Sequence, residues 1–501
     1  MKRLITVGLC AASSATACNG MPSGEDELGP LESIATTEQP LTHNWSASFG
    51  DSAYQTGDDV VVDGSDNIIT IGHLGYAGSV DFDGAGGAAA LSTSTLADYV
   101  AKFTEYGVHV WGKSFDDVDL SKVAVDSSGN IYVTGTTWAE YVDLGGGALY
   151  AGDGAGVAVL KLDSSGNHVW SRVFSGHGSE DFASGWAIAV DSAGDVLVTG
   201  STAGYVEFGT ATNFTYNADG YVTKLDGSDG SLIFVDFFAS DGIVGPRSIA
   251  VDPDDDSYAI TGMFGGSVDF GGGVLTSNSA WASIYWETGY DAFVAKFESD
   301  GDHLWSDRFG DDYSASGTDI VIDNSGNIDV IGEFDGDIDF GSNTATLTHP
   351  GNDTRDMFLV QFSAAGADLW SKQFGDTGFD NDDIATGVAV DSAGNVSIVG
   401  HFRTSIDFGG GTLTSVGSVD VAVAQFDDTG AHIWSANYGG DNTQLGGDSG
   451  QLGKGIAVDS SGKVTITGEF YRSADFGGST LIDSPSYWLG NGNIFLAQFD
   501  P

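Results

Sequence analysis

The chain has 501 residues, 41% of them hydrophobic, which is enough for one large repeat domain or for two to three ordinary domains. Its 75 glycines and 8 prolines fall around short β-branched runs, a composition typical of an all-β protein with many turns. With 71 acidic and 17 basic residues the formal net charge is -54, which excludes nucleic acid as a partner and disfavours direct contact with an anionic membrane surface. Cations, basic partners and neutral sugars stay open as ligands, and the charge also serves solubility.

The first segment in chain order predicts export. Met1-Lys2-Arg3 is a short basic start, and residues 4–17 are mostly apolar or small and too few to span a bilayer. The sequence Ala15-Thr16-Ala17-Cys18 resembles a lipoprotein lipobox, although Ala15 stands where that pattern prefers Leu. The resemblance implies a signal peptide over 1–17 and a lipid on Cys18. Ordinary signal cleavage after Ala17, which would release a soluble protein, is the alternative.

The cysteine count favours the lipidated form. Cys10 lies inside the segment to be removed, so the mature chain would keep Cys18 alone and could form no internal disulfide. Residues 18–43 lack apolar periodicity and are predicted to be a flexible acidic spacer, which leaves 44–501 as the folded domain.

A repeat fills that domain. Each copy opens on an aromatic residue, and the seven opening residues are Trp45, Trp111, Trp170, Phe234, Trp305, Trp370 and Trp434. Each copy predicts four strands. In the sixth copy these are Val388–Asp391, Val396–Gly400, Val421–Phe426 and, leading into the next copy, Ile433–Tyr438. The pattern predicts a seven-bladed β-propeller of four-stranded antiparallel blades.

The first turn of each copy has a structural explanation. An Asp begins it and can accept backbone N–H groups, and its fourth position needs a left-handed backbone. Glycine occupies that position in five copies, at Gly129, Gly194, Gly326, Gly394 and Gly462. Asp66 and Asp255 are predicted to adopt the same conformation in the other two, because Asp tolerates it better than most residues.

The order of strands predicts how the ring closes. The domain begins at 45–49 with a strand that carries the opening aromatic residue, and it ends at 494–499 with a strand that matches the third strand of the other copies. Elsewhere in the sequence these two kinds of strand are consecutive. We expect the N-terminal strand to pair with the C-terminal one and remove the open edges of the array.

A family resemblance supports this fold. Asp126-Ser127-Ser128-Gly129-Asn130-Ile131-Tyr132-Val133-Thr134-Gly135 resembles the bacterial SBBP-type β-propeller repeat, and Asp459–Gly468 and Asp391–Gly400 are similar. The resemblance covers the chain after the spacer. It implies a propeller and a surface or secreted setting, and it implies no particular activity.

The variable loops between second and third strands, and between copies, fall on one face and are the expected place for binding. Aromatic residues in these loops suit a sugar face or a protein interface, the alternative being that they pack as lids over the blades. The candidates are Trp138, Trp281, Tyr285, Trp286, Tyr487 and Trp488.

Carboxylates on the same face are candidate Ca²⁺ ligands, because Ca²⁺ prefers hard oxygen ligands. They are Asp311, Asp312, Asp376, Asp380, Asp382, Asp383, Asp441 and Asp448. Solvated acidic loops are the alternative. A second series, with one acidic residue per copy near the start of the second-to-third loop, is predicted to fix that loop by accepting hydrogen bonds. It comprises Asp81, Asp143, Glu207, Asp269, Asp339, Asp407 and Asp475.

One constellation could carry chemistry. His73, Glu333, His401 and Glu469 share a repeat position just after the second strand, and they would converge if that position faced the central funnel. Four other histidines share the position two residues before the opening Trp and are predicted to be structural: His109, His168, His303 and His432.

These observations favour a non-enzymatic surface or secreted lipoprotein of the bacterial envelope that binds a protein or glycan, with Ca²⁺ as a candidate ion. We expect a monomer that meets the membrane only through its lipid. The alternatives are an exported glycan-active hydrolase or lyase that uses Glu333 and Glu469, and a structural envelope component without a ligand.

Overall fold

The computed structural model describes residues 41–83, 90–176, 178–278, 289–349, 354–376, 382–440, 450–482 and 492–501. Within these ranges every helix or strand assigned is a strand, and no helix there is long and apolar enough to cross a membrane. The strands belong to one unit, Gln39–Pro501. Cys18, the predicted signal segment and most of the predicted spacer lie outside the described residues.

The strands fall into successive antiparallel groups, mostly of four, which we call blades and number along the chain. Blades 1, 5, 6 and 7 are separate four-stranded sheets, whereas the strands of blades 2 to 4 are linked into one sheet of 13 strands. Strand β1 (Thr42–Phe49) comes first and belongs to the last sheet. Blade 1 contains β2 (Asp59–Val62), β3 (Ile68–Leu74), the hairpin β4 (Ser79–Val80) and β5 (Leu91–Ser92), β6 (Ala97–Phe103) and β7 (His109–Asp116). Blade 2 contains β8 (Asp119–Val125), β9 (Ile131–Thr137), the hairpin β10 (Tyr141–Asp143) and β11 (Ala148–Tyr150), β12 (Gly156–Leu162) and β13 (His168–Gly176).

Blade 3 departs from this plan because its second and third strands run on into their connection. It contains β14 (Phe182–Ala183), β15 (Ala187–Val190), β16 (Val196–Phe208), β17 (Ala211–Leu225) and β18 (Leu232–Phe238). Blade 4 contains β19 (Ile243–Val251), β20 (Tyr258–Gly265), the hairpin β21 (Ser267–Asp269) and β22 (Val274–Thr276), β23 (Asp291–Phe297) and β24 (His303–Phe309).

The remaining blades return to the common plan. Blade 5 contains β25 (Ala315–Ile322), β26 (Ile328–Phe334), the hairpin β27 (Asp337–Ile338) and β28 (Leu347–Thr348), β29 (Asp356–Phe362) and β30 (Asp368–Phe374). Blade 6 contains β31 (Ile384–Val390), β32 (Val396–Phe402), the hairpin β33 (Ser405–Asp407) and β34 (Thr412–Thr414), β35 (Asp420–Phe426) and β36 (His432–Tyr438). Blade 7 contains β37 (Gln451–Val458), β38 (Val464–Phe470), the hairpin β39 (Ser473–Ala474) and β40 (Leu481–Ile482), and β41 (Asn493–Asp500).

The hydrophobic core lies between neighbouring blades. Second and third strands such as β35 are buried along their whole length, whereas outer strands such as β24 alternate between buried or half-buried and exposed residues. One core cluster joins Val294 of blade 4 to Ile320 and Val330 of blade 5, and another joins Val60 of blade 1 to Leu496 of blade 7. Apolar residues on both faces of the central strands are therefore what hold successive blades together.

A tryptophan on the outer strand attaches most blades to the next one. The indole N–H of Trp305 in blade 4 donates to the carbonyl of Ala364 in the last turn of blade 5, at 3.0 Å. Trp370 of blade 5 donates to the carbonyl of Asp428 in blade 6, at 3.2 Å. Trp434 of blade 6 has no corresponding turn in blade 7 to bind. The third and fourth strands of blade 7 are β41 and β1, which come from opposite ends of the domain and are not joined by a turn. Its indole donates to Gln425 of its own blade, at 2.9 Å.

The N-terminal strand completes blade 7. Strand β1 pairs antiparallel with β41, with Trp45 opposite Gln498 and Phe49 opposite Ile494. It begins at Thr42, two residues inside the segment predicted to be spacer. The indole of Trp45 donates to the carbonyl of Glu105 in blade 1 at 3.2 Å, so β1 also contacts the first blade.

The first turns agree with the sequence analysis except in blade 4. Asp391 shows the common form, since its Oδ1 accepts the N–H groups of Ala393 at 2.8 Å and Asn395 at 2.9 Å. The five predicted glycines and Asp66 have positive φ angles. In blade 4 the left-handed residue is Asp256, with φ 60°, and the prediction of Asp255 was wrong. The reason is one extra residue in that turn, where the N–H of Asp252 donates to the carbonyl of Ser257.

The recurrent histidines support the loops between second and third strands. His168 Nε2 lies 3.1 Å from Ser171 Oγ, and a Cβ placed on Gly146 would lie 2.4 Å from the same ring. Asp143, of the acidic series, accepts the N–H groups of Gly145 at 2.8 Å and Gly147 at 3.0 Å. The imidazole ring of His168 thus packs against Gly146, and the carboxylate of Asp143 binds the backbone on both sides of it. These contacts account for the recurrent His and the recurrent acidic residue without a ligand.

Candidate functional site

The site is built from one position of the inner strand of each blade, five residues before the Asp of the first turn. The residues at this position are Asp58, Ser121, Trp186, Arg247, Thr318, Thr386 and Lys454. In five blades the strand register shifts at this residue, as it does at Ser121 between Leu120 and Lys122 and at Arg247 between Pro246 and Ser248. Such β-bulges change the direction of a side chain. At the bulge, the side chain of this residue therefore points in a direction that differs from the regular up-and-down alternation along the strand.

Four of these residues line a pocket of about 440 Å³ together with Met263. They are Ser121, Trp186, Arg247 and Thr318, which come from blades 2 to 5. The volume lies within the range of about 300–1,000 Å³ typical of small-ligand sites. Met263 occupies the repeat position of His73 and Glu333, so the position predicted to face the funnel does so in blade 4.

Arg247 is the most unusual group in the pocket. The residue is half-buried, and its Nη2 lies 3.7 Å from the sulfur of Met263. Among the described residues no acidic side chain forms an ion pair with it. Desolvation lowers the pKa of Arg247, Glu333 raises it, and Arg355 lowers it further. A guanidinium stays charged in proteins, so this pocket holds a partly desolvated cation whose donors have little to bind.

Trp186 lies beside it. The ring is half-buried, and a Cβ placed on Gly245 of the neighbouring inner strand would lie 3.1 Å from its Cζ3 atom. Glycine at 245 therefore gives the indole room against the blade 4 strand. Within the described chain, neither the indole N–H of Trp186 nor the hydroxyl of Ser121 has a hydrogen-bond partner. The pocket thus combines an aromatic face, a cation and polar groups that are available to a ligand.

Glu333 is paired with a basic residue of its own blade. Its Oε1 accepts from Arg355 Nη1 at 3.0 Å, and the Glu333 side chain is largely buried while that of Arg355 is more exposed. The Glu333 charge also raises the pKa of Arg355. Glu333 is thus held as a counter-ion.

Glu469 belongs to a separate network. Its two oxygens accept from the hydroxyls of Tyr54 and Tyr471, each at 3.2 Å, and Lys454 Nζ lies 3.6 Å away. Desolvation raises the pKa of Glu469, and the charge of Lys454 opposes that shift. No contact joins Glu469 to Glu333 in the described chain, so the two carboxylates predicted as a catalytic pair are each engaged elsewhere.

His73 stands next to the Glu469 network. Its ring centroid lies 6.2 Å from that of Tyr54, and its Nδ1 lies 2.7 Å from Oδ1 of the buried Asp98. The hydrogen bond to Asp98 raises the pKa of His73, and desolvation raises the pKa of Asp98 to about 7. The structure therefore brings His73 and Glu469 to two sides of one tyrosine. His401 lies half-buried in β32 of blade 6.

Next to the pocket residue Ser121 in the chain, Lys122 forms ion pairs with residues of two other blades. Lys122 of blade 2 lies 3.3 Å from Asp59 of blade 1 and 3.8 Å from Asp319 of blade 5. Asp319 also accepts from the hydroxyl of Ser248, at 2.6 Å. The contact between Lys122 and Asp319 joins blades 2 and 5, which are not neighbours along the chain, and the other two contacts join neighbouring blades.

The predicted Ca²⁺ ligands are mostly occupied by the backbone where they are described. Asp311 accepts the N–H groups of Tyr313 and Asp337, both at 2.8 Å, and Asp382 accepts that of Arg355 at 3.2 Å. Asp383 is fully buried and accepts the N–H groups of Asp376 and Arg403, both at 3.3 Å. Asp312 is exposed.

In the ranges that the structure covers, no group of three or more His, Cys, Asp or Glu side chains is arranged to hold a metal ion. Asp380, Asp441 and Asp448 lie outside the described residues, and for their loops calcium binding stays a prediction.

The predicted aromatic site is described at one residue only. Trp138 is 62% exposed, which fits a surface contact better than a lid. Trp281, Tyr285, Trp286, Tyr487 and Trp488 lie outside the described residues.

Sequence reasoning missed Trp186 and Arg247. The available signal was that the position five residues before the turn Asp changes chemical type from copy to copy while the strand around it does not.

Comparisons with known proteins support the fold. Residues 110–141 match the family model described as Beta-propeller repeat. The chain is 23% identical over 449 residues to the "Uncharacterized WD repeat-containing protein L264" of Acanthamoeba polyphaga mimivirus; the match covers 72% of this chain and only 31% of that protein. The repeat match and the four-stranded antiparallel blades together identify an all-β, propeller-like repeat protein.

Three solved structures are similar in fold at low identity. A quinohemoprotein alcohol dehydrogenase from Comamonas testosteroni has a TM-score of 0.42 and 11% identity, over 94% of this chain and 78% of that one. The β-propeller domain of the Trilobed protease from Pyrococcus furiosus has a TM-score of 0.39 and 8% identity, over 87% and 99%. BamB from Moraxella catarrhalis has a TM-score of 0.34 and 13% identity, over 92% and 98%. Nothing about the ligand of this chain is inferred from them.

Proposed function

We propose that this chain is an exported, non-enzymatic binding propeller that takes a glycan or protein ligand in the pocket lined by Ser121, Trp186, Arg247, Met263 and Thr318. The observation that carries the proposal is Arg247, a half-buried cation without an acidic partner in the described chain, next to an indole with a free N–H. Leaving such a group unpaired costs free energy, and a ligand that binds it recovers that cost.

Binding is favoured over hydrolysis because the two candidate catalytic carboxylates, Glu333 and Glu469, already have side-chain partners. A glycosidase needs two carboxyl groups on opposite sides of one substrate bond. Glu333 pairs with Arg355, and Glu469 is held by Tyr54 and Tyr471. Neither carboxylate lines the pocket.

We further propose that the seven blades form a closed ring in which blade 7 contacts blade 1. Two observations support it. The inner strand β37 of blade 7 contacts β2 of blade 1, as consecutive inner strands contact each other elsewhere, and β1 pairs with β41. A closed ring leaves no sheet edge exposed for aggregation and gathers the inner strands around one funnel.

The proposal also includes a cell-surface or secreted setting with a lipid on Cys18 and the acidic spacer between lipid and ring. The segment Ala15–Cys18 and the net charge of -54 support it. A tethered ring with its binding pocket on the variable-loop face would present that pocket to extracellular ligands.

Retention of oligosaccharides on the immobilised protein tests the binding proposal. The probes are cellohexaose, chitohexaose and hexagalacturonate, and the variants are Trp186→Ala and Trp138→Ala, each first shown to melt like the wild type. We expect at least one probe to be retained by the wild type and by Trp138→Ala, and to be retained at least tenfold more weakly by Trp186→Ala.

The contrast between the two tryptophans makes the test specific. Loss of retention in Trp138→Ala with full retention in Trp186→Ala would move the site to the loops and overturn the pocket assignment. No retention of any of the three probes by the wild type would contradict the glycan form of the proposal.

A further inference from the structure

The pocket carries a chemical preference that the fold alone does not. Its cation is the guanidinium of Arg247, and the nearest described basic group that interacts with it, Arg355, is already paired with Glu333. The charges that act on Arg247 are those of Glu333 and Arg355, which pair with each other, whereas Asp335 and Asp382 act on Arg355 and not on Arg247. A cation that forms no ion pair within the described chain is unusual in a protein of net charge -54, and an anionic ligand would explain it.

The geometry points to the carboxylate group of a hexuronic acid unit, so that the glycan bound in this pocket is an acidic one; this inference rests on the binding function proposed above. A guanidinium binds a carboxylate through two parallel N–H···O bonds, which gives both strength and orientation. Within the described residues, the one hydrogen-bond contact of the Arg247 guanidinium is the weak one with the sulfur of Met263, so donors remain for this pairing.

The other pocket residues suit the sugar ring. Trp186 offers a flat apolar face with an N–H at its edge, which matches a pyranose that has C–H groups on its face and hydroxyls on its rim. Ser121 offers a hydroxyl with no partner in the described chain. Thr318 donates its hydroxyl proton to the carbonyl of Ala385 at 2.9 Å, so its oxygen is left as an acceptor for a sugar hydroxyl.

A peptide carboxylate would satisfy Arg247 equally well but would leave Trp186 and the two hydroxyls without a purpose. The pocket volume of about 440 Å³ also leaves room for a sugar ring next to the guanidinium. The overall negative charge of the protein does not prevent binding, because at physiological ionic strength charges more than about 8 Å apart are largely screened.

Hexagalacturonate and its fully methyl-esterified form test the inference, because they share the sugar ring and differ in charge. Binding is measured by calorimetry on the full chain at pH 7 and physiological ionic strength, for the wild type, Arg247→Ala, Arg247→Lys and Lys372→Ala. Lys372 lies on the outer strand β30 and gives the matched control for loss of one positive charge. All variants are first compared by thermal melting.

We expect the wild type and Lys372→Ala to bind the acid at least tenfold more tightly than the ester. Arg247→Ala should bind both forms equally, and Arg247→Lys should keep part of the preference, because a lysine keeps the charge and loses the paired hydrogen bonds. Equal binding of acid and ester by the wild type would overturn the inference, as would an unchanged preference in Arg247→Ala.

The outcomes separate this inference from the binding proposal. If the ester binds as well as the acid and Trp186→Ala abolishes both, the pocket binds glycans and the acidic preference is wrong. If hexaglutamate binds in an Arg247-dependent way and hexagalacturonate does not, the ligand is an acidic peptide and the glycan assignment is wrong. If the wild type binds none of these and none of the neutral hexamers, both proposals fail.

Discussion

At the scale of single residues, much of the negative charge of this protein has a structural use. Asp126 accepts backbone N–H groups of Ser128 and Asn130, both at 2.9 Å, and the side chain of Asn130 at 2.7 Å. Although desolvation opposes it, these hydrogen bonds hold the pKa of Asp126 below its usual value. A carboxylate in such a turn supplies several charge-assisted hydrogen bonds at once, which a neutral side chain cannot. The recurrent Asp therefore needs no ligand to explain it.

Asp383 differs from Asp126 in that its pKa is raised rather than lowered, and this predicts that the stability of the protein depends on pH. Its side chain is fully buried, and desolvation raises its pKa to about 8. In the unfolded chain an Asp titrates near pH 4. Because the folded-state pKa is raised, the stabilisation from the protonated form is complete below about pH 4 and is lost as the pH rises towards 8.

Asp383→Asn should remove this loss, since an amide does not ionise. Its single oxygen can accept only one of the two N–H groups, those of Asp376 and Arg403, that the two carboxylate oxygens accept, and that cost is the same at both pH values. We expect the variant to gain thermal stability over the wild type that is greater at pH 8 than at pH 5 by at least about 1.4 kcal/mol, the equivalent of one pKa unit. Melting of both proteins at the two pH values measures it, with the exposed Asp312→Asn as control. The same difference at both pH values would contradict the prediction.

At the scale of elements, the outer strand of a blade is held by the last turn of the next. Gly430 in the turn between β35 and β36 has φ 76°, and a Cβ placed on it would lie 2.7 Å from the Trp370 ring of blade 5. Glycine is thus required there twice, by the left-handed backbone and by the indole that packs on it.

Gly430→Ala and Gly462→Ala separate these two reasons. Gly462 also has a positive φ, of 87°, but nothing lies within 4 Å of the place of its Cβ. Gly462→Ala should cost about 1–2 kcal/mol of backbone strain, and Gly430→Ala at least about 1 kcal/mol more because Trp370 must move. Urea unfolding measures both, and equal losses would show that the indole contact contributes nothing.

The positions of single strands could be predicted from the sequence, whereas the bulge at Arg247 and the side-chain networks could not. The third strand of the sixth copy was predicted at Val421–Phe426 and lies at Asp420–Phe426, because a short apolar run between two turns is typical of a fully buried strand. The bulge at Arg247 was not predicted, because it depends on the register between β19 and β20 and leaves no local signal. His73, Glu333 and Glu469 were identified as a funnel position, but their networks involve Arg355, Tyr54 and Tyr471, whose proximity only the folded chain creates. The change of residue type at the pocket's repeat position was a sequence signal, but which of those residues meet in one pocket is decided only by the folded chain.

At the scale of the whole molecule, an ion pair links blades that are distant along the chain. Lys122 contacts Asp59 and Asp319, from blades 1 and 5, and desolvation raises the pKa of Asp59 while the charge of Lys122 opposes that shift. A ring of repeats without these contacts would depend on nearest-neighbour contacts alone. The contact between Lys122 and Asp319 makes blades 2 and 5, which are distant along the chain, depend on one another.

Ring closure through β1 is the last feature to test. Strand β1 contributes Trp45 and Phe49 to the core between blades 7 and 1, and its removal would also leave the edge of β41 exposed. Deleting residues 42–49 should therefore destabilise the protein by roughly 3 kcal/mol or more, because two aromatic side chains leave the core, and should promote self-association. Thermal melting and light scattering measure the two effects.

A peptide of residues 41–50 added to the deleted protein should raise its melting temperature in a concentration-dependent way, because it binds the folded form alone. A scrambled peptide of the same composition is the control, since it keeps the apolar content and loses the register of Trp45 opposite Gln498 and Phe49 opposite Ile494. Rescue by the first peptide and not by the second would mean that β1 closes the ring by specific strand pairing. An unchanged melting temperature on deletion, or equal rescue by both peptides, would mean that the ring is held by its other contacts.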